Sequence, residues 1–149
     1  MNKFKSQQSG FTLIEILIVI GIIAILAAIV LVAVNPAQQF KKANDAQRSS
    51  NVNAIINAVG QYMVDNQGAI PSQITTTAQD ISNGGANLCS VLIPNYLAAL
   101  PGDPTTGSSQ SITSCTTYNT GYQIKKDSND RITVSAPDTQ IGADISVIR

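Results

Sequence analysis

Polar and apolar positions divide the chain into stretches with different periods. From residue 11 to residue 34 the sequence is almost continuously apolar, interrupted by the strongly polar residues Thr12 and Glu15. At ~1.5 Å per residue this stretch forms a helix of roughly 36 Å, enough to cross a ~30 Å hydrocarbon layer with some tilt. It is apolar on every side, so it needs lipid or other apolar helices around it. Gly21, Ala24 and Ala28 recur at helical spacing and offer a face for close packing.

After Asn35 and Pro36, which read as an N-cap followed by proline at the first helical position, the pattern becomes amphipathic. Val52, Ile55, Ile56, Val59, Tyr62 and Met63 form one stripe of a second helix ending near Asn66, with Gly68 and Pro71 as stop signals. Asn51, Asn53, Asn57 and Gln61 lie off that stripe. Lys41, Lys42, Asp45 and Arg48 make the polar half of the helix, read as a solvated face or, alternatively, as a surface for neighbouring subunits. Residues 66–87 read as a polar loop. Two short apolar pieces, 88–92 and 96–100, read as helical turns docked on the head. Alternation appears late: Tyr122 and Ile124 against Gln123 and Lys125, then Ile132 and Val134 against Thr133 and Ser135, around a four-residue loop at 127–130. That is a β-hairpin, with residues 145–148 as a further strand. The predicted fold class is α+β, a long N-terminal helix joined to a small antiparallel sheet. The expected division is a short N-terminal piece 1–10, an apolar helix of membrane-spanning length 11–35, and a globular part 36–149. Within the globular part, 36–66 is the amphipathic helix, 67–120 a loop-rich region and 121–149 the hairpin and last strand.

Composition narrows the function classes. The formal net charge is zero, so no bulk attraction to nucleic acid or acidic lipid is implied. Histidine is absent, which removes the commonest general base and metal ligand. Beyond Glu15 every carboxylate is an aspartate, mostly in predicted loops. No paired carboxylates, phosphate-binding loop or nucleophile motif appears, so no enzymatic activity and no cofactor is expected. Lys125, Lys126 and Arg131 gather at the hairpin. Adjacent lysines on a strand face opposite ways and no aromatic platform accompanies them, so DNA is not an expected partner. Cys89 and Cys115 lie beyond the apolar stretch, on the side that would be outside a cell. An even count there favours a disulfide over two half-buried thiols. Closing a loop of that length is worth about 3.5 kcal/mol in the chain-entropy model.

Glu15 is the anomaly. An ionised carboxylate at the centre of a membrane helix costs about 2.5–3.5 kcal/mol even on a lenient insertion scale. A secretory signal peptide would use Lys3 and Lys5 as its basic start, but the apolar run is too long and gives no role to Glu15. A plain membrane anchor explains the length and leaves Glu15 equally unexplained. Lys3 and Lys5 favour a cytoplasmic N-terminus, while Lys41, Lys42 and Arg48 follow closely on the other side, so positive charge alone does not orient the segment.

The sequence GFTLIE at residues 10–15, with a short basic leader before it and about twenty apolar residues after it, closely resembles the N-terminus of type IV prepilins and type II secretion pseudopilins. The resemblance implies cleavage between Gly10 and Phe11 by a prepilin peptidase, N-methylation of Phe11, and polymerisation through the N-terminal helix. It implies pairing of Glu15 with the Phe11 amine of a neighbouring subunit, with pairing inside one subunit as the simpler alternative. Many members place a proline inside this helix where Val32 stands here. The later Pro36 leaves open whether the helix breaks or only kinks. Residues 96–104, YLAALPGDP, are similar to a segment of major pseudopilins that precedes a calcium-binding loop. Asp103 is the candidate ligand, although a single aspartate among turn formers reads more simply as a turn residue.

The implied function is a structural filament subunit with no catalysis of its own. Its expected partners are further copies in a helical filament, the prepilin peptidase and methyltransferase, an assembly ATPase, a platform protein and the membrane. It would sit in the cytoplasmic membrane with its head outside, then in a surface or extracellular pilus. The Thr- and Ser-rich loops lean towards a pilin and LPGDP towards a secretion pseudopilin. A membrane-anchored binding protein or enzyme is the alternative from another class.

Overall fold

A computed structural model describes residues 10–106, 111–142 and 144–149. It contains two compact units, Met1–Gln39 and Phe40–Arg149. The amphipathic helix therefore begins in the first unit, four residues before the boundary.

In the first unit, helix α1 covers Leu13–Val34. Thr12 is its N-cap. The Thr12 backbone is extended, and its Oγ1 accepts a hydrogen bond from the Glu15 amide at 3.3 Å. Glu15 thus sits in the first turn, where the unpaired amides of the helix favour negative charge. No side chain of α1 is buried, and the helix is long and apolar enough to cross a membrane. It ends at Asn35, whose φ of 43° is left-handed and stops the α1 ladder. Helix α2, Pro36–Asp65, starts at the next residue. The Asn35 Oδ1 accepts from the Gln38 amide at 3.4 Å, so Asn35 closes α1 and caps α2 together. The helical path breaks at Asn35.

In the second unit, a sheet of four antiparallel strands has the order β1-β4-β5-β6: β1 Gln79–Ser82, β4 Asn119–Lys126, β5 Ile132–Ala136 and β6 Ile145–Ile148. The expected hairpin is β4 and β5, in the register Ile124↔Val134 and Lys126↔Ile132. Asp127 organises its loop, accepting at Oδ1 from the Asn129 and Arg131 amides. Strict alternation puts Tyr122, Ile124, Ile132, Val134 and Ala136 into a core shared with Val52, Ile55, Ile56 and Val59 of α2, while Tyr62 and Met63 are half-buried at its margin. Burying a side chain of this size removes it from water at a gain of about 1.5–3 kcal/mol each, so this stripe holds helix to sheet.

The region 67–120 carries more order than its composition suggests. Strand β1 lies inside the expected polar loop and pairs with β4 through a bulge between Asp80 and Ser82. Only Ile81 of its four residues is fully buried, so the strand carries no alternation to read. The chain then folds back sharply: the Ala86 amide bonds to the Asp80 carbonyl, and a Cβ at Gly85 would collide with that same oxygen. Of the expected helical turns, 88–92 is a single turn, α3 (Cys89–Leu92). Leu100 departs from the expectation, pairing in a two-residue strand β2 (Leu100–Pro101) with β3 (Ser111–Ile112).

The polar half of α2 is not uniformly solvated. Lys41 and Lys42 are exposed, but Asp45 and Arg48 are buried, and so is Asn51. They share the helical phase of Val52, Ile55 and Val59, so the face that meets the sheet continues upward in polar residues. The reading of Asp45 and Arg48 as a solvated face is corrected accordingly.

Candidate functional site

Two places concentrate chemistry that the packing alone does not require: the start of α1, and the charged cluster in the first half of α2.

At the first, Gly10 and Phe11 precede the helix and both are exposed; Phe11 is 80% accessible. A side chain built on Gly10 would meet nothing within 4 Å. Gly10 and Phe11 therefore lie outside the helix and are accessible among the described residues. Glu15 is exposed in the first turn of α1, and among the described residues it has no cation within ion-pair distance. Its own chain offers it the Thr12 cap and the helix dipole. These orient the first turn and leave the carboxylate free to meet a cation from elsewhere. Lys3 and Lys5 lie outside the described residues.

At the second, Arg48 is fully buried and grips two carboxylates. Its Nε donates to Asp103 Oδ2 at 2.6 Å and its Nη2 to Asp103 Oδ1 at 2.9 Å, a bidentate pair. Its Nη1 donates to Asp45 Oδ1 at 2.8 Å. Asp103 Oδ1 also accepts from the Thr105 and Thr106 amides and the Thr105 hydroxyl. Asp45 in turn accepts from the Gln140 and Ile141 amides at 3.0–3.1 Å. One helical turn along, Asn51 donates to the Gly102 carbonyl and the Tyr122 hydroxyl. Three distant segments are thereby tied to one helix.

The protonation of the cluster follows from these contacts. Burial pushes the Asp103 carboxyl up, but the Arg48 guanidinium and the Thr105 and Thr106 donors outweigh it and hold Asp103 well below the usual carboxylate range. Burial also opposes Asp45, where Arg48 and the two backbone amides again win and lower it. Asp103 raises the pKa of Arg48 against the opposing effect of burial. All three groups are charged at neutral pH.

Asp103, the candidate calcium ligand, thus has both oxygens engaged by Arg48 and its own turn. Among the described residues no three His, Cys, Asp or Glu come together as a metal site. Asp103 does form a turn, but it is also the buried counter-ion of a residue 55 positions away. The pairing itself is invisible in sequence. The burial of Arg48 was not, because Arg48 lies four and seven residues before Val52 and Ile55.

Cys89 and Cys115 are joined, with Cα atoms 5.4 Å apart. The bridge pins α3 to the segment before β4, where the Tyr118 hydroxyl donates to Asn87 and accepts from the Cys89 amide. Lys125 is exposed, whereas Lys126 and Arg131 are engaged by Asp130 and Asp127 within the hairpin loop. No continuous basic face is formed there.

Residues 5–31 match the family model of the prokaryotic N-terminal methylation motif. The chain is 37% identical over 82 residues to a type IV wide pilus major component of Thermus thermophilus, a match covering 55% of this chain and 61% of that protein. It is 42% identical over 62 residues to the type II secretion system core protein G of Aeromonas hydrophila, covering 42% of each. The matches thus span less than two thirds of either relative. No solved structure matches the chain. With its exposed GFTLIE start, its uncovered apolar helix and its helix-on-sheet head, the chain carries the prepilin-type methylation motif and is related in sequence to type IV pilins and type II secretion pseudopilins.

Proposed function

We propose that this protein is a structural subunit of a type IV pilus-like filament. It is made as a membrane prepilin with its head outside, cut after Gly10, N-methylated on Phe11 and polymerised through α1 by an assembly ATPase and platform protein. One observation carries this: α1 has no buried side chain and bears a single carboxylate, without an ion-pair partner among the described residues, one turn from an accessible Gly10–Phe11 bond. Lipid satisfies such a helix before assembly, and neighbouring α1 helices satisfy it afterwards. Cutting at Gly10 places an ammonium at Phe11, and in a low-dielectric bundle Glu15 of an adjoining subunit neutralises it. Removing either partner strands the other, a cost of about 3–5 kcal/mol.

Intact mass and N-terminal sequencing of the membrane-extracted protein test the processing. The expected start is N-methylated Phe11; a start at Met1, or a cut after Ala28, overturns it. Glu15→Ala tests assembly: the membrane level stays normal while filaments fall by at least about a hundredfold, as the cost of an unpaired charge implies. Unchanged filament yield would support an anchored monomer instead. A second reading, a secretion pseudopilin, is favoured by the LPGDP segment and by the likeness to core protein G. Shearing filaments from the cell surface and identifying their main component separates the two.

A further inference from the structure

We infer that Phe40, Lys41 and Lys42 form an interfacial anchor that binds the anionic headgroups of the membrane crossed by α1. Phe40 is 71% accessible, and both lysines are exposed. Among the described residues Phe40 belongs neither to the buried core nor to the half-buried residues packed on it. Among the described residues neither ammonium has an ion-pair partner. The natural partner on the helix surface would be Asp45, four residues after Lys41 and three after Lys42. Asp45 is instead buried against Arg48 and the 140–141 backbone, so it leaves both charges uncompensated.

On the outer side of a membrane span, lysines run against the positive-inside bias. An anionic partner at that level removes the objection. Chain geometry supplies the level. From Val34 to Pro36 the chain reaches at most ~7 Å, and from Pro36 to Phe40 the helix rises ~6 Å, so Phe40 is tethered close to the end of the span whatever direction α2 takes. The three residues occupy about 3 Å of helix length. An aromatic belt and snorkelling lysines act at a common depth, not on a common face, so their different directions around α2 do not matter.

The anchor rests on α1 spanning a bilayer and not on filament assembly, so the test uses the full chain in vesicles without assembly machinery. The sequence has no tryptophan, so Phe40→Trp and, separately, Ile22→Trp each place one reporter. Brominated phosphatidylcholine vesicles, with or without phosphatidylglycerol, are the probe. The position-22 reporter is expected to be quenched by deep bromines in both. The position-40 reporter is expected to be quenched by shallow bromines, blue-shifted by phosphatidylglycerol, and released by Lys41→Gln with Lys42→Gln or by high salt. Each lysine contributes about a fivefold change in the surface-bound population. An unquenched position-22 reporter overturns the span and the anchor together. A quenched position-22 reporter with position 40 in water overturns the anchor alone. A position-40 shift that follows protein density, not phosphatidylglycerol content, assigns the patch to a second copy and also overturns it.

Discussion

Glu15 and Arg48 are both charged residues in phase with apolar neighbours on a helix, yet their surroundings differ. Arg48 is enclosed by its own chain, with two carboxylates on three of its nitrogens and Thr105 as a further acceptor. Glu15 has only a capped first turn around it and no counter-ion among the described residues. The same contrast holds for apolar side chains. Ile55 and Val59 are fully buried, whereas Ile23 and Leu26 are more than half exposed. The head pairs its buried charges within its own chain, while the first unit presents an apolar helix and a carboxylate with no such partners among the described residues. This contrast is what the proposed filament subunit requires: a self-contained head and a helix left open to other chains.

The comparison can be broken most sharply at Arg48. Arg48→Met leaves two buried carboxylates without their cation, and head stability in the full, detergent-solubilised chain is expected to fall by about 3–5 kcal/mol. Urea unfolding followed by hydrogen exchange of β4 and β5 reads it. The variant also changes the acid response. Asp103 and Asp45 have folded pKa values below their unfolded ones. Their stabilisation is therefore complete above the unfolded carboxylate range and is lost as pH falls from about 4 through the folded values. Arg48→Met should flatten that acid limb; an unchanged limb would show that other carboxylates govern it.

Equal truncations in the two units sharpen the contrast. Ile55→Ala should cost the head about 2–5 kcal/mol, whereas Ile23→Ala should leave the same unfolding curve in place because it removes nothing from the head's core. A comparable loss from both would contradict the uncovered state of α1. Replacing both Cys89 and Cys115 with Ser should lower head stability by about 2–4 kcal/mol without altering α1, read by the same urea midpoint. The smallest expected effect is at the cap: Thr12→Ala should weaken the first turn of α1 by about 1 kcal/mol, seen as faster amide exchange at Glu15 and Ile16 alone.

Legibility differed between the units for a reason visible in particular residues. A helix apolar on all sides declares itself through composition, and GFTLIE declares its likeness to the methylation motif through fixed spacing. The hairpin declared itself through alternation at Tyr122, Ile124, Ile132 and Val134. Strand β1 did not, because only Ile81 points into the core and its pairing is dictated by the open edge of β4. Asp45 and Arg48 were misplaced for a related cause: their charge argued for solvent more strongly than their helical phase argued for burial. Only a counter-ion 55 positions further along reverses that balance.

Local rules therefore determined α1, the Asn35–Pro36 start of α2, the stripe of α2 and the hairpin, because period, capping and turn chemistry operate within a few residues. Tertiary structure alone decided that Asp103 serves Arg48 and that β1 completes the sheet, because each joins residues far apart in sequence. That the helical path breaks at Asn35 and does not merely kink was likewise visible only in the structure, in a left-handed backbone that asparagine permits but does not compel.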